Sequence, residues 1–289
     1  MPELTLIPPV FGYIVAGVFG AIIGSFLNVV VHRIPLEESI VFPNSRCPSC
    51  GMAIAFYDNI PVVSYIVLGA KCRHCKAGIS FRYPAVELLT AVLFVGVAWH
   101  DGLSAALAFD LVFASALLAL VFIDAEHMIL PNVITYPGIV FAVIARIVIP
   151  YLSGTPHFDD LPSLTQGALA GMPLWVTSLV GALIGALLGG GSLWLMGWTW
   201  EKLRGIEAMG LGDVKMMFMV GAYLGWRLTI LTIFVGVFSG SIIGIFLMVR
   251  SGQRNMQMLL PFGVFLGLGA IAALLFGVPI VEWYAGQFR

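Results

Sequence analysis

Apolar runs of bilayer length fill this chain and leave few folds open to it. They are read at residues 10–31, 84–100, 103–123, 131–150, 167–197, 213–226, 228–249 and 259–281. A helix needs about 20 such residues, or about 17 when short, to cross hydrocarbon. The sixth run is short. The fifth is overlong, and Gly189-Gly190-Gly191 is where it is expected to tilt or break. With 60% hydrophobic and 10% charged residues, against roughly 25% charged in an average soluble chain, a water-soluble globular fold is excluded. The expected fold is an all-α polytopic membrane protein of about eight transmembrane helices with a small cytoplasmic loop domain. Residues 1–31 form the first helix, 32–83 the loop domain and 84–289 a seven-helix membrane domain. The 33 glycines suit helices packed closely in lipid. Basic residues are not gathered into a patch, so no nucleic-acid partner is expected. The bilayer is the one partner that composition demands, and no stable protein partner is inferred. No basic stretch precedes the first apolar run, so no cleavable signal peptide is expected.

Lys and Arg concentrate beside cytoplasmic span ends. Placing the 32–83 loop inside puts there Arg33, Arg46, Lys71, Arg73, Lys76, Arg82, Lys202, Arg204, Lys215, Arg250 and Arg254, eleven of the 14 basic residues. Arg146, Arg227 and Arg289 fall outside. Both termini are then external, and Asp124 and Asp213 lie at the cytoplasmic ends of their helices.

The 32–83 loop holds all four cysteines, as Cys47-x-x-Cys50 and Cys72-x-x-Cys75. Two such pairs match a tetrahedral Cys₄ zinc site built from two knuckles, and a loop with little core needs a staple. The alternative is two disulfides, which require an oxidising compartment. A closed Cys₄ site has no open position for water, so the zinc is expected to be structural.

Asp124 ends one apolar run, and Asp213 follows Gly210-Leu211-Gly212 at the start of another. Ionisable groups at the border of hydrocarbon are costly, so two of them ask for a function. A carboxylate pair about 3 Å apart shares one proton; the ionised member can activate water while the protonated one polarises a scissile carbonyl. Either acid alone could equally cap a helix or meet headgroups. A different class of function also fits: a proton- or ion-coupled transporter relaying through Asp110, Asp124 and Asp213, although two acids at one face do not trace a transmembrane path.

Further motifs stand in order around these residues: Gly24-Ser25-Phe26-Leu27-Asn28-Val29-Val30, Ile79-Ser80-Phe81-Arg82-Tyr83-Pro84-Ala85-Val86-Glu87, Leu130-Pro131-Asn132, Gly210-Leu211-Gly212-Asp213-Val214-Lys215 and Pro261-Phe262-Gly263. With the paired cysteines, the chain resembles the type IV prepilin peptidases, or prepilin leader peptidase/N-methyltransferases, over most of its length. The resemblance implies an inner-membrane aspartic endopeptidase that removes the basic leader of prepilins or secretion-system pseudopilins at the cytoplasmic face. It also implies N-methylation of the new terminus with S-adenosyl-L-methionine. Asp124 and Asp213 take the catalytic positions, and Cys47, Cys50, Cys72 and Cys75 those of the metal domain. Glu87 and Lys71 are candidate cofactor contacts; Asn28, Arg82, Gly210, Gly212 and Lys215 are candidate substrate or supporting residues. Two positions depart from the family pattern: Ala70 separates Gly69 from Lys71-Cys72, and Val264 stands where proline is usual.

Overall fold

A computed structural model describes residues 9–102, 104–158, 169, 171–205, 209–251 and 260–287. Residues 103, 167, 168, 170 and 259 of the expected spans, with Asp159, Asp160, Arg254 and Arg289, lie outside the described residues. The described elements are helical, with two isolated β-bridges and no strand. In chain order they are α1 (Pro9–Arg33), the short α2 (Val63–Val67), α3 (Arg82–Asp101), α4 (Leu107–His127), α5 (Asn132–Ser153), α6 (Leu174–Ala186), α7 (Ser192–Arg204), α8 (Leu211–Ser251) and α9 (Phe262–Gly286). Seven candidate spans among them are long and apolar enough to cross a membrane.

Two departures from regular helix answer the two irregular runs in the sequence. Between α6 and α7 the triple glycine sits in a π-helical turn, Leu187–Gly191, so the overlong fifth run bulges without ending. Inside α8, Gly225 takes φ 77°, ψ 178°, a left-handed backbone that glycine adopts without a Cβ penalty. The chain reverses there. Met217 O and Thr229 Cγ2 lie 2.5 and 3.0 Å from where a Gly189 Cβ would stand, whereas about 12 residues of straight helix would hold them about 18 Å apart. The sixth and seventh runs are thus the two arms of one helical hairpin, 211–224 and 226–251.

The chain divides into two compact units, Met1–Ser115 and Ala116–Arg289. In the first, α1 lies against α3 with almost no separation: a Cβ on Gly20 would come within 2.8 Å of Ala91 Cα, and one on Gly24 within 2.6 Å of Glu87 Cα. Backbones this close are typical of helices that associate in lipid through van der Waals packing. Val31, Val86, Phe94 and Val97 are buried along the seam. The core of the second unit is the 211–224 arm, with Met216, Met217, Met219, Val220, Tyr223 and Leu224 at 0% exposure. Gly185 and Gly221 let α6 and this arm meet backbone to backbone. Gly267 of α9 receives Val121 and Leu117 of α4.

Candidate active site and metal centre

Asp124 lies in the last turn of α4 and is 5% exposed. Its Oδ2 accepts the Val264 N–H at 2.9 Å, with the Gly263 N–H beside it. These are first-turn donors of α9, which have no partner inside their own helix. Gly263 makes the approach possible, because a Cβ there would stand 2.8 Å from Asp124 Oδ2. Asp213 occupies the first turn of α8, at the positive end of the helix dipole, with its N–H donating to Gly210 O at 3.1 Å. Leu130, in the turn after α4, joins the two acids' surroundings. It packs where a Gly212 Cβ would be and also against the Gly263 position. The charge of Asp124 acts on Asp213 electrostatically. The cluster therefore contains two carboxyl groups from different helices, two glycines that admit close neighbours, and one aliphatic side chain that both glycines touch.

The remaining candidate residues are placed more diversely. Lys215 turns to α5, where Nζ donates to Asn132 Oδ1 at 2.8 Å and sits 5.1 Å from the Tyr136 ring centroid. Asn28 Nδ2 donates to Tyr83 O at 3.0 Å, tying α1 to the start of α3. Arg82 opens α3, half-buried. Buried Glu87 accepts the Val62 N–H at 2.7 Å and a hydrogen bond from Ser25. Lys71 lies on the second cysteine knuckle, paired through its backbone with Gly78 and exposed. Asp110 is fully buried in the first turn of α4 and hydrogen-bonded to Asp101, which also meets His100 Nδ1 at 2.7 Å.

The four cysteines converge. Their Sγ atoms all lie within 4.8 Å of one another, and Cys47 and Cys75 are 3.8 Å apart. Tetrahedral zinc with Zn–S of about 2.3 Å sets its sulfurs about 3.8 Å apart, so the donor set fits zinc in number, type and spacing. The two pairs are one structure repeated. Cys47 N–H donates to Met52 O and Gly51 N–H to Cys47 O, both at 2.9 Å. Cys72 N–H donates to Ala77 O at 2.8 Å and Lys76 N–H to Cys72 O at 3.1 Å. The bridges Arg46–Ala53 and Lys71–Gly78 close the knuckles. Arg73, inside the second, grips Asp58 through Nε at 2.7 Å and Nη2 at 2.6 Å, and this guanidinium holds the Asp58 carboxyl below its ordinary range. The N–H groups of Cys50 and then Ser49 pull the Cys47 thiol down to about 6.

The fold and these two centres describe a helical protein with seven candidate membrane spans, two carboxyl groups brought to one cluster and four cysteines that could hold a metal ion. Comparison with known proteins narrows the class. Residues 18–101 match the bacterial peptidase A24 N-terminal domain, and residues 111–245 the type IV leader peptidase family. A prepilin leader peptidase/N-methyltransferase from Pseudomonas aeruginosa is 38% identical over 288 residues, covering 92% of this chain and 90% of that protein. Proteins of the same description are 38% identical in Myxococcus xanthus, over 82% of this chain and 64% of the relative, and 35% identical in Dichelobacter nodosus, over 94% of both. No solved structure matches the chain. The chain belongs to the type IV leader peptidase family.

Backbone donors for Asp124 are the part of the site that the residue pattern did not single out. The signal was present: Pro261-Phe262-Gly263 directly before an apolar run marks a helix start, and helix starts carry unpaired N–H groups.

Proposed function

We propose that this protein cleaves the leader of type IV prepilins or pseudopilins at the cytoplasmic membrane face, using Asp124 and Asp213, and then methylates the new N-terminal amine. The observation that carries the reading is a carboxyl group buried at the end of an apolar helix, oriented by Val264, and electrostatically joined to a second acid from another helix. The names of the relatives point to the same two reactions. The pair begins with one proton between them. The ionised member takes a proton from water as it adds to the scissile carbonyl, while the protonated member hydrogen-bonds the carbonyl oxygen. Proton return to the leaving nitrogen then breaks the bond, with no covalent enzyme intermediate. The Val264 N–H fixes one oxygen of Asp124 and leaves the other for water.

A prepilin joins a basic leader to an apolar helix, so its cut site rests where acids at a membrane face can reach it. The basic-residue distribution supports a cytoplasmic 32–83 loop, and the Gly225 hairpin, which gives an even number of crossings, supports termini on one side. S-adenosyl-L-methionine supplies the methyl group when bound. Zinc on Cys47, Cys50, Cys72 and Cys75 holds the loop domain together.

The test is to incubate purified protein with a precursor pilin and S-adenosyl-L-methionine and weigh the products. Wild type should yield the shortened, methylated chain. Asp124→Asn and Asp213→Asn should each lower cleavage at least about a hundredfold, the scale of lost acid–base catalysis, while remaining folded. Near-normal cleavage by either variant rejects the two-acid mechanism. Proton flux through vesicles that depends on Asp110, with no new peptide termini, would favour transport instead.

A further inference from the structure

A cavity of about 490 Å³ opens in the N-terminal unit between α1 and the loop that follows it. Small-molecule sites run from about 300 to 1,000 Å³. One wall is a single stripe of α1, where Ile22, Phe26, Val29 and Arg33 recur at helical spacing. Arg33 stands in the last turn of that helix, so the stripe runs from the polar boundary toward the bilayer centre. From Arg33 to Ile22 it covers about 16 Å of helix, the depth of one leaflet when the hydrocarbon is about 30 Å thick. The opposite wall is loop. It carries the amides of Asn44 and Asn59, but also Val41 and Phe56, which are 65% and 87% exposed. Apolar side chains left bare beside the foot of a span mark contact with a membrane. Arg33 is the one ionised side chain among the described lining residues. It donates to Ser39 O at 2.9 Å and Pro43 O at 2.7 Å, which leaves three of its five N–H donors. The loop wall is preformed: Glu87 of α3 accepts the N–H of Val62, beside lining residue Pro61. Val62 takes φ 59°, a backbone that a β-branched residue rarely adopts.

We propose that this cleft holds an anionic phospholipid from the leaflet on the loop side of α1. The assignment uses α1 as a membrane span and is independent of the two reactions proposed above. Arg33 at one end and the 22–29 stripe at the other call for a ligand with a negative head and an apolar tail about one leaflet long. A phospholipid has both. Its phosphate meets the remaining donors of Arg33, a planar fork that suits phosphate oxygens. The Asn44 and Asn59 amides donate to the other oxygens of the headgroup. An acyl chain lies along Val29, Phe26 and Ile22, with Val41 and Phe56 closing over it from the loop. No acid stands among the described lining residues to repel the phosphate. A free phosphate would leave the apolar stripe unused, and the cation of a zwitterionic lipid would find no partner there. The basic leader of a precursor brings the wrong charge to Arg33. The lipid thereby fastens the cysteine-bearing loop to the membrane surface.

The test places the full-length protein in phosphatidylcholine vesicles that contain a phosphatidylglycerol with a photoactivatable group on its acyl chain. Cross-linked peptides are then mapped by mass spectrometry. The probe should label both walls, the 40–61 loop as well as α1. Labelling confined to membrane spans is what annular lipid alone would give, and it overturns the assignment. Native mass spectrometry of the protein in detergent, with both lipids at equal concentration, should show phosphatidylglycerol preferred about fivefold, the scale of one basic residue at an anionic surface. Arg33→Gln should cut that preference below about twofold. Val29→Trp, which fills the cleft from the helix wall, should remove the loop label with zinc content unchanged. If Arg33→Gln loses zinc along with its bonds to Ser39 and Pro43, Val29→Trp decides. A loop label that survives in Val29→Trp overturns the proposal. So does a label suppressed by glycerol phosphate alone, which would make this a phosphate site, or by one equivalent of precursor pilin, which would make it a substrate groove.

Discussion

Asp124 sits at the unfavourable end of its own helix. The C-terminus of α4 carries the negative pole of the dipole, and the carboxylate there is compensated by donors from the start of α9. That borrowed helix start explains why a valine can matter at position 264: its N–H is the donor, and proline has none. Val264→Pro should keep the fold, because proline is tolerated in a helix's first turn, yet remove the bond to Asp124. Proline is the residue usual here in the family pattern, and the Gly263 N–H still faces Asp124, so kcat for leader cleavage is expected to stay within about threefold of wild type, less than the loss of a whole charged hydrogen bond, with zinc content unchanged. Gly263→Ala should lower kcat about 10- to 100-fold, the scale of a lost charged hydrogen bond, because its methyl group would stand against Asp124 Oδ2. Steady-state cleavage of a precursor checks both. Lys215, by contrast, spends its charge on Asn132 and Tyr136, and Lys215→Met is expected to loosen α5 against α8 before it touches the acids.

At the scale of elements, the cysteine module is two copies of one turn, and the copies differ at one informative position. Gly51 and Lys76 follow the second cysteine of each pair, and both take positive φ, 70° and 60°. Lysine meets a steric cost of about 1–2 kcal/mol in that conformation, so Lys76→Gly should raise the resistance of the loop domain to chelator-driven unfolding by about 1 kcal/mol. Thiolate chemistry gives a second measurement. Cys47 is pulled down to about 6, so in the apo protein at pH 7 it is already largely ionised. Cys72 is lowered as well, by the N–H groups of Cys75 and His74, so zinc uptake should then release fewer than four protons. Because the folded value is depressed, the stabilisation that depends on this thiolate is complete above the ordinary thiol value of 9.0 and is lost as pH falls from there through about 6; below that the proton count should climb toward four. Calorimetry in buffers of different ionisation enthalpy reads the count directly.

At the scale of the whole molecule, much of the fold is legible in the chain itself. Apolar periodicity and length mark the candidate spans, and Cys-x-x-Cys spacing marks the cluster of four sulfurs that could hold a metal, because both are local properties of the chain. The Gly225 reversal was legible only as a short run ending near Arg227, since the sign of φ is not written in composition. Asp124 with Val264, and Glu87 with Ser25 and Val62, join residues far apart in sequence, and no periodicity could pair them. Orientation is testable at this scale. Single cysteines placed at Lys202 and at Tyr151 in a background whose knuckles are saturated with zinc should label from opposite sides of inverted vesicles, Lys202 from the cytoplasmic one; labelling of both from one side contradicts the assigned topology.

The arm that carries Asp213, residues 211–224 before the Gly225 reversal, rises to only about 21 Å. The hydrocarbon of a typical bilayer is about 30 Å thick. Because this arm is the enclosed core of its unit, the shortfall is met by surrounding protein, and a reversed backbone at bilayer depth is tolerated only where protein covers it. Turnover is therefore expected to differ little between short-chain vesicles and thick, sterol-stiffened ones.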